Sequence, residues 1–319
     1  MKVLSNKDIE QGDTLKAMVA DGSVVTIGNF DGVHVGHHAI LSLVKQRARE
    51  LVVPSIVVTF HPHPRKVLSS PEHLRLLLDK KEKCALLEKI GIDALVTLNF
   101  DKSFASQTPV EFIERWLMKF NPKAVVVGYD FSFGRGGAGT LEILKEEGKI
   151  RGFVVEVVEA SRVDGMVVSS SRIRNLIEAG EIAKANRMLG RPYSLHGSVV
   201  KGHGRGRKIG FPTANIDSSA EVVPADGVYA GEVVLAGNAL PAMVNIGTNP
   251  TFEDMVRTIE ACILDFDGDI YGREAEVRFL ERIRPEIKFN SVEELVKQIE
   301  KDQEVIEEFF RERQENQKC

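Results

Sequence analysis

Val24-Val25-Thr26-Ile27-Gly28-Asn29-Phe30-Asp31-Gly32-Val33-His34-Val35-Gly36-His37-His38 is the stretch from which the rest of the chain can be read. Its first four residues form an apolar run of the kind that makes a buried parallel strand. Ile40, Leu41, Val44, Ala48 and Leu51 follow at helical spacing, so an amphipathic helix is predicted behind the turn. A glycine-rich turn between strand and helix lets backbone amides approach an anion at the positive end of the helix. His34 and His37 lie three residues apart, so both imidazoles can project from the first turn toward one ligand. On a phosphate chain two such rings donate hydrogen bonds and, when protonated, add charge where the transition state develops it. A lone His-x-x-His is more often an exposed pair on an ordinary turn. Here strand, glycines, histidines and helix stand in register.

Length and composition set the frame. A chain of 319 residues implies two domains. A hydrophobic fraction of 43% and a charged fraction of 28% are those of a soluble globular protein. A formal charge of −4 argues against a general nucleic-acid or anionic-membrane binder. The amino terminus lacks a signal-peptide core, and no apolar stretch approaches the roughly 20 residues of a membrane-spanning helix. Cys84, Cys262 and Cys319 are scattered without metal-ligand spacing. A cytoplasmic protein is expected, a monomer or weak homo-oligomer acting on small molecules, with no nucleic-acid or membrane partner.

The chain changes character near residue 190. Before it, apolar runs at 24–30, 55–60, 94–100, 124–131 and 153–158 alternate with helical patterns, which predicts a doubly wound parallel sheet. Thr108-Pro109-Val110-Glu111 is a capping box that starts a helix at 109. In such sheets ligands bind beyond the carboxyl ends of the strands, where Gly28–His37 lies. After it, strands are predicted at 193–201, 228–235, 240–246, 258–266 and 274–284, forming a small antiparallel barrel. One helix closes the chain, capped by Ser291-Val292-Glu293-Glu294 and given an apolar face by Leu295, Ile299, Val305, Ile306 and Phe309. The expected domains are 1–186 and 187–319.

Three further stretches carry chemistry. Val168-Ser169-Ser170-Ser171-Arg172-Ile173-Arg174 opens a helix; its serines cap, and with the arginines they also make a phosphate cradle. Gly202-His203-Gly204-Arg205-Gly206-Arg207-Lys208-Ile209-Gly210-Phe211-Pro212-Thr213-Ala214-Asn215 is a basic, flexible loop without the Gly-Lys-Ser/Thr ending of a Walker loop. It can be a solvated turn, an RNA-contacting tract, or a flap over a triphosphate. Thr213 and Asn215, two apart on one strand, face the same side and offer hard oxygens to Mg²⁺. In Thr258-Ile259-Glu260-Ala261-Cys262-Ile263-Leu264, alternation sends Glu260 to the face opposite Ile259, Ala261 and Ile263. Periodicity alone makes it a solvated glutamate. Asp265-x-Asp267-x-Asp269 with Glu276 superficially fits a calcium loop, but Ile270 stands where glycine is needed, so the run reads as a turn between strands.

Gly28–His37 resembles the HxGH signature of the nucleotidylyltransferases, and in its full length the amino-terminal module of the prokaryotic bifunctional riboflavin kinase/FMN adenylyltransferases, or FAD synthetases. Ser169–Arg174 resembles that family's Ser-Ser-Thr-x-Ile-Arg motif, with Ser171 in place of threonine. Thr59–Pro64 and Val127–Gly134 look like further family segments; His61 stands where an acidic residue is expected and is given no role. The loop ending Pro212-Thr213-Ala214-Asn215 resembles the riboflavin kinase signature, as do Gly227–Tyr229, Asn245–Phe252 and Asp265–Gly272, and the resemblance runs from about residue 24 to residue 302. It implies a six-stranded barrel, riboflavin, FMN, FAD and ATP as substrates or products, and Mg²⁺ at both sites. It implies catalytic roles for His34, His37 and Glu260, the last as general base on the ribityl 5′-hydroxyl. Gly28, Asn29, Phe30, Asp31, Gly32, Asp130, Ser169, Ser170, Ser171 and Arg174 would hold nucleotide or flavin in the first domain. Gly204, Gly206, Arg207, Gly210, Pro212, Asn245 and Arg284 would do so in the second, where Arg282 and Arg284, near the carboxyl-terminal helix, would help close the flavin pocket, and Thr213 and Asn215 would bind the metal.

Two competing readings are a cytidylyl- or pantetheine-directed nucleotidylyltransferase with a regulatory barrel, and an RNA-binding barrel on a degenerate nucleotide-binding domain. Pro212–Asn215 and Glu260 speak against the first, the acidic charge and the histidine pair against the second.

Overall fold

The apolar runs of the first half form one parallel sheet because both of its faces are covered, which leaves no polar side to the strands. The computed structural model describes residues 1–69, 74–202, 206, 209–248 and 257–316. Strands β1 (Lys2–Ser5), β2 (Ser23–Ile27), β3 (Ser55–His61), β4 (Ala94–Asn99), β5 (Pro122–Gly128) and β6 (Val154–Val158) stand in the order β1-β4-β3-β2-β5-β6, every neighbouring pair parallel. Val25, Ile27, Ile56, Val58, Val96 and Val125 pack toward one side, Val24, Val57, Leu95 and Val126 toward the other. Strand β1 adds a sixth member to the five runs expected; with four residues, of which only Leu4 is buried, it leaves no periodic trace. The expected strand 24–30 ends at Ile27, since Phe30 has already turned into the left-handed region. The order in which successive strands are laid down reverses between β2 and β5, which makes the end of β2 the switch point where such folds bind ligands.

A short hairpin of β7 (Arg162–Val163) and β8 (Met166–Val167) precedes the helix Ser170–Glu178. The second half closes a barrel of β9 (Tyr193–Val200), β10 (Ala214–Asp217), β11 (Gly227–Leu235), β12 (Asn238–Thr248), β13 (Arg257–Ile263) and β14 (Glu274–Pro285), ordered β10-β13-β12-β11-β14-β9. Tyr229 and Phe279 fill its interior edge to face, their centroids 5.4 Å apart. The carboxyl-terminal helix, Val292–Asn316, starts as expected, with the Glu294 amide donating to Ser291 Oγ at 3.1 Å. Ile299, Ile306, Phe309 and Phe310 lay it over Val228, Ala230, Met243 and Cys262 on the outside of the barrel. Val305, expected on that face, is exposed instead, because it lies 100° around the helix from Ile306.

The chain divides into two compact units, Met1–Ser170 and Ser171–Cys319. The division falls ahead of the change in sequence pattern because two helices join the barrel's unit. Ile182–Leu189 buries Ile182, Ala185, Met188 and Leu189, and Asn186 Nδ2 donates to the Phe279 carbonyl at 2.8 Å. Asn186 Oδ1 accepts from the Tyr193 amide at 2.7 Å, so the helix is stitched to both β9 and β14.

Candidate functional sites

The loop after β2 is built to hold two imidazoles in one orientation. His34 is the N-cap of the helix Val35–Leu51, and its Nδ1 accepts from the His37 amide at 3.2 Å. His37 Nδ1 reciprocally accepts from the His34 amide at 3.3 Å. The rings stack at a centroid distance of 3.6 Å and 11° between planes. A ring nitrogen that accepts a hydrogen bond holds no proton, so each neutral imidazole carries its N–H on Nε2. The pair can thus direct N–H groups at phosphate oxygens.

The turn leading to His34 is strained. Phe30, Gly32 and Val33 take φ of +50°, +87° and +39°. For the two residues with side chains this costs about 1–3 kcal/mol each, and it persists only where the surroundings impose it. Phe30 and Val33 are buried beside Leu41, Val57, Leu87 and Leu95, so they anchor the turn from inside. The buried Asp31 carboxylate accepts from the Leu77 amide at 2.9 Å, and the Asp31 carbonyl accepts from Ser170 Oγ at 2.8 Å. That last bond joins the start of the serine motif to the first loop. Asn29 Oδ1 is buried with no hydrogen-bond partner among the described residues, an acceptor suited to a ligand. Asp130 stands exposed just beyond β5, the strand beside β2. Gly28 closes β2 with its amide on the Val58 carbonyl. Ser169 is half-buried, Ser171 is exposed and Arg174 is half-buried, all at the start of the helix Ser170–Glu178.

Sequence reasoning missed what lies beneath this loop. Lys83 Nζ and Thr59 Oγ1 both donate to the Asn29 carbonyl, at 2.7 and 3.2 Å. Burial pushes the Lys83 ammonium below the usual lysine range, against the opposing pull of Asp31 and Cys84.

In the barrel, strand register assembles the second site. Asn215 on β10 and Asn245 on β12 both lie directly opposite Glu260 on β13; Val228 on β11 lies opposite Asn245, and Arg284 on β14 opposite Val228. Opposed residues of an antiparallel pair share a face, so Asn215, Glu260, Asn245 and Arg284 project together from the outer wall. Thr213, two residues before Asn215, joins them, with Oγ1 3.4 Å from Glu260 Oε2. A Cβ on Gly202 would lie 2.1 Å from Asn215 Nδ2, so a larger residue there would push the asparagine side chain aside. Gly210 is left-handed at +92°, and Pro212 is exposed at the approach to Thr213. Gly204 and Arg207 lie outside the described residues, as does 249–256 of the segment beginning at Asn245.

Arg284 does not stand alone. Asp302 of the carboxyl-terminal helix, 2% exposed, takes its Nε at 2.9 Å and its second guanidinium nitrogen at 2.7 Å, while Gln298 donates to Asp302 Oδ1 at 2.8 Å. Removing one partner of a buried pair strands the other charge. Asp302→Ala is expected to lose about 3 kcal/mol, the low end for such a loss because Arg284 keeps some contact with water. Thermal unfolding should show a drop of several degrees, with Asp302→Asn between parent and Ala; an unchanged melt for Asp302→Ala would refute the assignment.

The FAD synthetase family model matches residues 16–172 and the riboflavin kinase family model residues 189–310. The bifunctional riboflavin kinase/FMN adenylyltransferase of Listeria monocytogenes is 40% identical over 293 residues, covering 90% of this chain and 92% of that protein. The protein of the same name from Haemophilus influenzae is 38% identical over 294 residues, covering 92% and 96%. A crystal structure of a protein described as a macrolide-efflux protein from Streptococcus pneumoniae matches with a TM-score of 0.88 and 34% identity, over 96% of this chain and 99% of that one. Among the described residues no helix is long and apolar enough to cross a membrane. With both family models matched in order and identity of this level along nine-tenths of its length, the chain belongs to the bifunctional riboflavin kinase/FMN adenylyltransferase family.

Proposed function

We propose that this chain converts riboflavin to FAD in two steps, with the chemistry divided between 1–186 and 187–319. The barrel transfers the γ-phosphoryl group of ATP to riboflavin, giving FMN and ADP. The first domain then joins FMN to the AMP portion of a second ATP and releases pyrophosphate. The observation that carries this reading is the alignment of Glu260 between Asn215 and Asn245, since a barrel that only bound a ligand would need no carboxylate in such a row.

In the barrel, Glu260 accepts the proton of the ribityl 5′-hydroxyl as its oxygen attacks the γ-phosphorus and ADP leaves. Thr213 Oγ1 and Asn215 Oδ1 are hard oxygen donors that fit Mg²⁺, an ion that keeps several waters and is held together with substrate phosphates. Among the described residues no three His, Cys, Asp or Glu gather into a metal cluster. When bound, the ion would draw charge from the phosphate oxygens. In the first domain the FMN phosphate is already ionised, so positioning and charge stabilisation are what the chain supplies. His34 and His37 provide the donors, and Ser169, Ser170, Ser171 and Arg174 the phosphate cradle. We further infer a cytoplasmic enzyme of small molecules, a monomer or weak homo-oligomer.

The test is chromatography of riboflavin, ATP and Mg²⁺ incubated with the chain: FMN is expected first and FAD after it. The fragment 187–319 is expected to make FMN and no FAD. Because a cut at 187 removes the Asn186 bonds to β9 and β14, the longer fragment 171–319 should melt higher. A folded fragment that binds riboflavin and Mg·ATP yet makes no FMN would overturn the independence of the two modules.

A further inference from the structure

The helix Lys80–Ile90 turns a charged side chain toward the loop that carries the histidines. Lys83 lies one and two turns ahead of Leu87 and Ile90, on the stripe that packs beside Phe30, Val33 and Leu41. A neutral side chain would be buried there at lower cost, since an ammonium resists desolvation. What the lysine gains is the Asn29 carbonyl, at 2.7 Å from Nζ. This oxygen heads the turn in which Phe30, Gly32 and Val33 all take positive φ. The same turn is fixed at its middle by Leu77 and Ser170, through the side chain and the carbonyl of Asp31. Its far end is His34, whose ring stacks on His37. A shift of the Asn29 carbonyl therefore passes along four residues, two of them strained, into the histidine pair.

We propose that Lys83 is a positioning residue for adenylyl transfer: its ammonium fixes the Asn29 carbonyl, and through the turn that follows it sets His34 and His37 at the end of β2. The proposal rests on the reading of this loop as the adenylyltransferase site. Lys83 acts through the histidines, so its loss should reduce turnover more than substrate binding.

The experiment measures FAD formation from FMN and Mg·ATP by full-length parent, Lys83→Met and Lys83→Arg. For Lys83→Met, kcat is expected to fall on the order of 10- to 100-fold, the scale of an ångström's misplacement of a catalytic group. KM for FMN and ATP should stay within about threefold, because the phosphate-binding groups remain. Riboflavin phosphorylation by the same preparation should be parental. Lys83→Arg, which keeps a charged donor, should recover most of kcat. If the Met variant does not fold, Lys83→Gln takes its place under the same criteria. A folded variant with parental kcat, or one altered in KM alone, overturns the proposal while leaving the site assignment intact. A parent that makes FMN but no FAD overturns the site assignment and the proposal with it.

Discussion

Glu260→Gln is expected to slow riboflavin phosphorylation by about 10²–10⁴, the range for removal of a general base, while FMN adenylylation stays near the parental rate. Glutamine has nearly the same size, keeps an oxygen for the Thr213 hydroxyl and holds its place between Asn215 and Asn245. The substitution thus removes the capacity to take a proton with little change to packing. The adenylyl-transfer reaction serves as the control, since the residues proposed for it lie on the loop after β2 and the start of the serine motif. Flavin products separated by chromatography at saturating ATP and Mg²⁺ give both rates from one preparation. Phosphorylation within a few-fold of the parent would dismiss Glu260 as the base and leave it as a polar member of the wall.

Much of this arrangement is legible in the sequence because it is local. The histidine pair, the Thr108 and Ser291 caps and the alternation of apolar runs with helical patterns all depend on residues within one or two turns of each other. The barrel site is different in kind. Asn215, Glu260 and Asn245 come together only through register, and alternation gives the face of Glu260 without saying which residues of neighbouring strands lie opposite. Lys83 and Asp302 show a second limit. Each occupies a position on an apolar stripe, at i−4 and i−7 from Leu87 and Ile90 in one case and at i−4 from Ile306 in the other. Read by hydropathy alone they are interruptions of a stripe. Their partners, the Asn29 carbonyl and Arg284, lie on distant segments, so the signal available was the charge in an apolar position, without the reason for it. Val305 is the converse case: apolar, next to the stripe, and exposed.

For the first site, His34→Ala and His37→Ala are each expected to lower FAD formation from supplied FMN by about 10²–10³, the worth of one preorganised donor to developing charge. Riboflavin phosphorylation should persist in both. The two alanine variants differ in what else they remove. His34 is the N-cap of Val35–Leu51, so His34→Ala also gives up a cap worth about 1 kcal/mol, and part of its loss could come from a frayed helix start. His34→Asn separates these effects. Asparagine is among the best N-caps and can accept from the His37 amide in place of the ring, but its shorter side chain does not carry a donor to the position of Nε2. It should therefore melt with the parent while forming FAD as slowly as the alanine variant. In His37→Ala the reciprocal bond to the His34 amide and the stacked partner ring both go, so His34 is left held on one side only. The two histidines act as one unit, and the double alanine variant should lose little beyond the worse single one. Parental rates in both single variants would make the histidines a helix cap and nothing more, and would leave the phosphate chain to the serine motif and the backbone amides of the turn.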